Sequence, residues 1–206
     1  MGLRQMDIAR LNGFLEKVRE EIYSEPPSQT HSEITGRMFQ FFMDKYPLPQ
    51  ESTILDVGCG QGTALDLFAR EGYHPIGITM DSEDRAVCQR KGFAVYEMDQ
   101  SFLDFEKESF DLIWCRHCLE HSIFPYFTIS EFFRILKPKG YLYVEVPAPE
   151  TSCIHEGNKN HYSILGKRMW VELLRRSAFR VLDCIDINHV VPAGPDLYYA
   201  FIQQKS

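Results

Sequence analysis

A chain of 206 residues, 44% apolar and 25% charged, suits one domain around a single large core. Its net charge of −7 argues against nucleic acid as a partner, which would need a basic stripe; only "GKRMWVELLRR" offers a small basic patch. No apolar run is as long as a membrane span, and the amphipathic start "MGLRQMDIARLNGF" lacks the apolar centre of a secretion signal, so a cytoplasmic protein is expected.

Two helices are expected first. Ile8, Leu11, Leu15, Val18 and Ile22 are spaced for one helix face over 7–23, which "SEPPSQT" then breaks. "SEITGRMFQFFMDKY" follows as a second helix, ended by "PLP" at 47–49. These make residues 1–50 a helical cap on a core of 51–206. Gly2 does not read as a myristoylation site, because Met6 stands where Ser or Thr is required.

From there strand and helix patterns alternate. "STILDVG" is a strand, "GTALDLFAREG" a helix, "HPIGITM" a strand, "SEDRAVCQRKG" a helix and "FAVYEMD" a strand. "SFDLIWCRH" is the fourth strand, "FTISEFFRILKPKG" a helix with its stop, "YLYVEVP" the fifth strand and "SILGKRMWVELLRRSA" a long helix. "FRVLDCIDINHVV" and "LYYAFIQQ" follow without a helix between them, which predicts an antiparallel hairpin that could pair across a homodimer. Apolar strands alternating with helices imply an α/β fold, a doubly wound and mostly parallel seven-stranded sheet. Ligands of such sheets bind beyond the carboxyl ends of the strands.

The six cysteines, with no secretion signal, read as reduced thiols. "CRHC" at Cys115–Cys118 has no second pair at zinc-site spacing, and reads as two small residues at a strand end.

The first strand runs into "DVGCGQG", where Gly58, Gly60 and Gly62 permit a tight turn and close approach of a ligand to the backbone. The helix that follows presents free N–H groups and the positive end of its dipole. A dinucleotide fingerprint would need glycine where Thr63 stands, and a phosphate loop would need G-K-[ST]. In this context "ILDVGCGQG" resembles the first motif of class I S-adenosylmethionine-dependent methyltransferases. "MDQSFLDFEKESFDLI", "FDLIWCRHCLEH" and "FRILKPKGYLYVEVP" resemble that family's acidic loop, fourth strand with its "LEH" turn, and approach to the fifth strand. The resemblance covers roughly residues 35 to 202, in order, and is closest to small-molecule methyltransferases with the "LEH" signature.

The resemblance implies a Rossmann-like methyltransferase fold and S-adenosylmethionine as cofactor. It implies that Asp56 and the backbone of Gly58, Cys59, Gly60 and Gly62 hold the methionine end, and that Asp99, with Gln100, Ser101 and Phe102, receives the adenine. Cys115 is included among the cofactor contacts. The family places an acid after the second strand to hold the ribose; here Thr79 takes that place, followed by Met80 and Asp81. A similar threonine occurs in the cyclopropane fatty acid synthases. Asp81 is either a ribose ligand or the cap of the next helix.

Methyl transfer needs alignment above all, with a base if the acceptor is a hydroxyl. His117 and His161 are the candidate bases, with Glu120 to orient a ring. Arg116, His121, His155 and Tyr162 are candidate contacts for a small-molecule acceptor, most plausibly methylated at oxygen. His155, Glu156 and His161 lack the spacing of a helical metal motif, and no metal is expected. The aromatic residues Phe39, Phe41, Phe42 and Tyr46 of the cap, and Phe124, Tyr126 and Phe127, could roof the pocket. The alternatives are a non-catalytic S-adenosylmethionine-binding or scaffold protein and a nicotinamide oxidoreductase; Thr63 and "LKPKG" stand against the latter. DNA amino-methylating enzymes carry a "PPY"-like motif where this chain has "RHCLEH".

Overall fold

The computed structural model describes residues 5–19 and 28–206. Two helices come first, α1 (Gln5–Arg19) and α2 (Gln29–Lys45). Ser28 starts α2, its side chain accepting from the His31 N–H. Residues 20–23 of the helix expected over 7–23, and 24–27 of its breaker, lie outside the described residues.

Then follow β1 (Thr53–Val57), α3 (Thr63–Arg70), β2 (His74–Thr79), α4 (Ser82–Arg90), β3 (Ala94–Glu97), β4 (Phe110–Arg116) and α5 (Pro125–Ile135). The chain ends with β5 (Leu136–Pro147), α6 (Lys167–Arg176), β6 (Phe179–Val191) and β7 (Gly194–Lys205). The seven strands form one sheet in the order β3-β2-β1-β4-β5-β7-β6, parallel except that β7 runs against both β5 and β6. This is the expected doubly wound sheet with its antiparallel final strand. Its order reverses between β1 and β4, so the turns leaving these strands diverge and open a crevice at their carboxyl ends. β7 is paired on both sides, so of the final hairpin it is β6 whose outer edge is a sheet edge, as that of β3 is at the other end. Among the described residues no helix is long and apolar enough to cross a membrane.

Strand alternation sorts the core into two layers. Leu55, Val57, Ile113, Leu142 and Val144 pack with Ile129 and Phe132 of α5 and Trp170 and Leu173 of α6. On the other face, Ile54, Leu112, Trp114 and Tyr143 pack with Ile34, Met38, Phe39 and Phe42 of α2 and Phe68 of α3. Trp114 and Tyr143 are register partners, and their rings stack at 3.8 Å. The cap aromatics Phe39, Phe42 and Tyr46 are therefore core. Tyr126 and Phe127 are exposed on the outside of α5; of that group Phe124 alone lines the crevice. The same alternation carries two positions further to the polar residues. Asp56 shares the face of Ile54, Arg116 that of Trp114, and Glu145 that of Tyr143, so all three emerge beside α2 at the carboxyl ends.

Two expected elements differ. α5 stops at Ile135, and "LKPKG" belongs to β5, where the register slips between Phe110 and Leu112. Pro138 excludes helix there and biases Lys137 to extended backbone. α6 begins at Lys167 rather than at Ser163, because Ser163 is tied to the "LEH" turn, donating from its amide to Glu120 O at 2.9 Å and from its hydroxyl to Ser122 O at 2.7 Å.

Gly77 in β2 shows how tightly the sheet is closed under the first turn. A Cβ there would stand 2.7 Å from Cys59 Sγ and 3.0 Å from Val95 Cγ2. Gly77→Ala is expected to lose about 1–3 kcal/mol in urea denaturation. Gly36→Ala, in α2 with nothing within 4 Å of the new atom, is expected to gain about 0.4–1 kcal/mol in the same measurement.

Candidate active site

The turn after β1 is built for close approach. Gly58 and Gly60 have φ of 71° and 49°, the left-handed region that side chains disfavour. The amides of Gly58 and Cys59 both donate to Ile78 O at 3.0 Å, which pins the turn against β2. A Cβ on Gly58 would press on Cys118 Sγ at 2.8 Å, whereas one on Gly60 would meet nothing nearer than Asp84 Oδ2 at 4.0 Å. Gly60 thus leaves open space facing the crevice.

Two adjoining cavities lie over this turn, of about 310 and 160 Å³, sharing Gly58, Gly60 and Arg116. The smaller runs from Asp56 and Cys59 to His31 and Thr35 of the α2 start. The larger is walled by Thr79, Met80 and Asp81 after β2, by Asp99, Gln100 and Ser101 after β3, and by His117, Cys118 and His121 after β4. Asn160 and Tyr162 of the connection after β5 and Leu15, Val18 and Arg19 of α1 complete it.

Most of the residues expected for the cofactor are thereby brought together. Three are not at the cavities. Cys115 is fully buried among the α5–α6 core residues, because it alternates with Trp114 and Arg116. Gly62 is the residue before α3, with φ of 84°, and its missing Cβ makes room for Cys88 Sγ at 3.0 Å. Phe102 turns outward onto Phe127, with ring centroids 5.7 Å apart. Asp81 settles as the cap of α4: its Oδ1 accepts from the amides of Glu83 and Asp84 at 2.9 and 2.8 Å. Thr79 Oγ1 accepts from the Asp81 amide at 3.1 Å and so fixes that corner.

Asp56 is only 4% exposed, and its Oδ2 has no hydrogen-bond partner. Burial first, and then Cys88, push its carboxyl up to about 8, with Arg116 opposing. Gln100 donates to Cys118 O at 2.8 Å but leaves its own Oε1 buried and unpartnered.

Glu145 is equally dry and fully satisfied. Its Oε2 accepts from the Tyr143 hydroxyl at 2.7 Å, and its Oε1 from His117 Nε2 at 3.0 Å. Arg116 Nη2 is 2.8 Å from the same Oε1, close but not aligned as a hydrogen bond, while Nη1 donates to Thr35 Oγ1 at 2.8 Å. Burial opposes the charge of Glu145, but Arg116 and His117 outweigh it and hold the carboxyl down at about 2.

His117 therefore does not stand as a free base. Burial and Arg116 work against its protonation, but Glu120, 3.7 Å from Nδ1, and Glu145 at Nε2 raise its pKa overall. His31 stacks on it at 5.1 Å and is driven down to about 4, by burial first and then by the neighbouring charge. His161 lies outside the larger cavity. Its Nδ1 donates to His155 O at 2.9 Å and its Nε2 faces the Asn158 amide at 3.2 Å, which closes both nitrogens. His155 also lies away from the cavities, bound to Asp196, and Glu156 accepts from the Glu150 amide. His121 does line the larger cavity. Its Nδ1 donates to Asn160 O at 2.9 Å, so the neutral ring keeps its lone pair on Nε2.

The profile of a methyltransferase-domain family matches residues 30–183. The chain belongs to that family. Over 182 residues the methyltransferase is 26% identical to a protein of Hahella chejuensis named ubiquinone biosynthesis O-methyltransferase, covering 84% of this chain and 73% of that one. A Pseudomonas fluorescens protein of the same name is 30% identical over 131 residues, 60% of this chain and 53% of that one. Haemonchus contortus phosphoethanolamine N-methyltransferase 2, solved with S-adenosylmethionine, shares the fold with a TM-score of 0.70 at 15% identity, over 82% of this chain and 52% of that one. The methyltransferase uses S-adenosylmethionine. Its residues fit that cofactor: a dry carboxylate without a partner suits an ammonium, an open glycine turn admits close contact, and the unpartnered Gln100 oxygen lies in the larger cavity's wall.

Sequence reasoning missed Glu145, His31 and Tyr198, whose hydroxyl is 3.1 Å from His31 Nε2 and whose ring meets His117 edge-on at 4.3 Å. An acid inside the apolar "YLYVEVP" was the available signal, since a buried charge requires a partner. Glu145→Gln leaves Arg116 and His117 short of their main counter-charge and is expected to cost about 3–5 kcal/mol in urea denaturation. The pH dependence has a definite sign. A carboxyl held below its ordinary 4.5 contributes stability that is complete above that value and is lost as the pH falls toward 2. The variant is expected to lose this part of the acid dependence.

Proposed function

We propose that the methyltransferase moves the methyl group to an oxygen of a small-molecule acceptor held in the larger cavity, with His121 as base. The observation that carries this is His121 itself, a cavity-lining imidazole whose tautomer is set by the Asn160 carbonyl and whose Nε2 is the lone-pair nitrogen. The name carried by the two curated relatives, an O-methyltransferase, supports oxygen.

On this reading Asp56 meets the ammonium of the methionine end, and Gly58, Cys59 and Gly60 give it backbone contact. Asp99, Gln100 and Ser101 face the adenine, while Thr79 and Met80 border the ribose and Asp81 holds their corner as a helix cap. When bound, the sulfonium supplies a methyl carbon open to in-line displacement. In that displacement His121 Nε2 would take the proton of the acceptor hydroxyl and pass it on to solvent. Arg116, which borders both cavities, presents its guanidinium to the site where the ionised hydroxyl develops. Tyr162 and Asn160 form the acceptor wall, and Leu15 and Val18 of α1 exclude water.

The test is a mass-spectrometric assay with phenolic, aliphatic-hydroxyl and amine acceptors. Methylation of hydroxyl acceptors is expected. His121→Gln is expected to lower kcat by about 10²–10⁴-fold while S-adenosylhomocysteine affinity by calorimetry stays within a factor of about 3. Methylation of amines alone, or a His121→Gln variant with unchanged kcat, contradicts the assignment.

A further inference from the structure

Three residues outside the catalytic crevice converge on one point. The ligating atoms of Cys153, His155 and Asp196 all lie within 4.8 Å of one another. They come from two elements, the connection after β5 and the start of β7, which pair in space because Ala148 and Ser152 donate to Leu197 O and Pro195 O at 2.9 and 3.2 Å. His155 Nε2 is 2.9 and 3.1 Å from the two Asp196 oxygens. A fourth group approaches from β6, where His189 Nε2 lies 3.4 Å from Asp196 Oδ2.

His189 supplies the second, independent observation. Its side chain is 9% exposed, and both ring nitrogens are shut from water without a hydrogen-bond partner. An imidazole in that position loses its hydration and gains nothing in return. A cation beside Asp196 would take its lone pair and remove that cost.

We infer that Cys153, His155 and Asp196, with His189 as fourth ligand, form a binding site for a divalent zinc-class ion. Thiolate, imidazole and carboxylate together are the donor set that selects such an ion over magnesium or calcium. Around a tetrahedral zinc these atoms stand about 3.3–3.6 Å apart, so small shifts bring Cys153, His155 and Asp196 from within 4.8 Å of one another onto the ion, and a larger movement of the His189 side chain completes the set. Uptake releases the Cys153 thiol proton to solvent.

The ion would fasten the connection after β5 to the β6–β7 hairpin. The carbonyl of His155 holds His161, and the same connection carries Asn160 and Tyr162 to the cavity wall. The site thus braces the acceptor side of the crevice without entering it.

The test is anaerobic titration of the full-length, reduced protein with cobalt(II). One equivalent is expected to give the visible bands of tetrahedral cobalt and a near-ultraviolet thiolate-to-cobalt charge-transfer band, both removed by stoichiometric zinc. Cys153→Ser is expected to abolish the charge-transfer band, and Cys184→Ser, at an exposed cysteine of β6, to keep it. His155→Gln is expected to weaken zinc at least ~10–100-fold in a chromophoric-chelator competition. Absence of saturable binding in the wild type overturns the proposal, and so does cobalt binding with no thiolate band. The latter would place the ion elsewhere, for example at the sulfur-free cluster of Glu120, His121 and His161. Should Cys153→Ser fail to fold, the wild-type spectrum and His155→Gln still decide.

Discussion

Two carboxylates on one face of the sheet are almost wholly removed from water, and they meet opposite conditions. Glu145 is surrounded by resident donors and is held ionised far below the ordinary range. Asp56, two strands away on the same face, has a buried oxygen with no donor at all and is pushed up to about 8. Burial of charge without compensation is among the most expensive things a fold can do. The first site is compensated from within the chain, and the second is not. On the proposed reading the cofactor's ammonium is the complement of Asp56, and an uncompensated acid is the cost of keeping that place open.

The same balance of charge assigns the histidines. His117 follows β4 at its carboxyl end, but two carboxylates hold its nitrogens, so neither is left free to act as a base. His31 stacked on it is driven down to about 4, by burial first and then by the charges of His117 and Arg116. His161 spends both nitrogens on the connection after β5. His121 remains, with one nitrogen committed to a carbonyl and the other available. On the proposed reading the proton acceptor is the histidine whose neighbours leave one nitrogen unused, and not the one that stands nearest a motif.

The fold was legible because strand periodicity and helix punctuation are local. "ILDVGCGQG" and the "LEH" turn placed the crevice, and the two-residue alternation explains why Asp56, Arg116 and Glu145 emerge together. That alternation also explains why Cys115 could not join them: it sits one position off, on the other face. What depended on long-range pairing was not legible. Glu145 meets His117 between the neighbouring strands β4 and β5, His31 reaches Tyr198 from the cap at 3.1 Å, and Cys153 finds Asp196 only through the hairpin. The start of α6 was misplaced because Ser163 exchanges helix for bonds to the "LEH" turn, a tertiary override that no local propensity announces.

The charge of Asp56 opposes folding of the free protein, and on the proposed reading it is retained to hold the cofactor. The direct measurement is Asp56→Asn, assayed for ligand-free stability by urea denaturation and for S-adenosylmethionine affinity by calorimetry. Because a carboxyl raised in the folded state costs stability as the pH rises from its ordinary 3.8 toward 8, the variant is expected to be more stable at pH 7.5, by about 0.5–2 kcal/mol. It is expected to bind the cofactor at least ~10-fold more weakly, through loss of a charge-assisted contact. A variant that is less stable than the wild type and binds S-adenosylmethionine equally well would contradict the account.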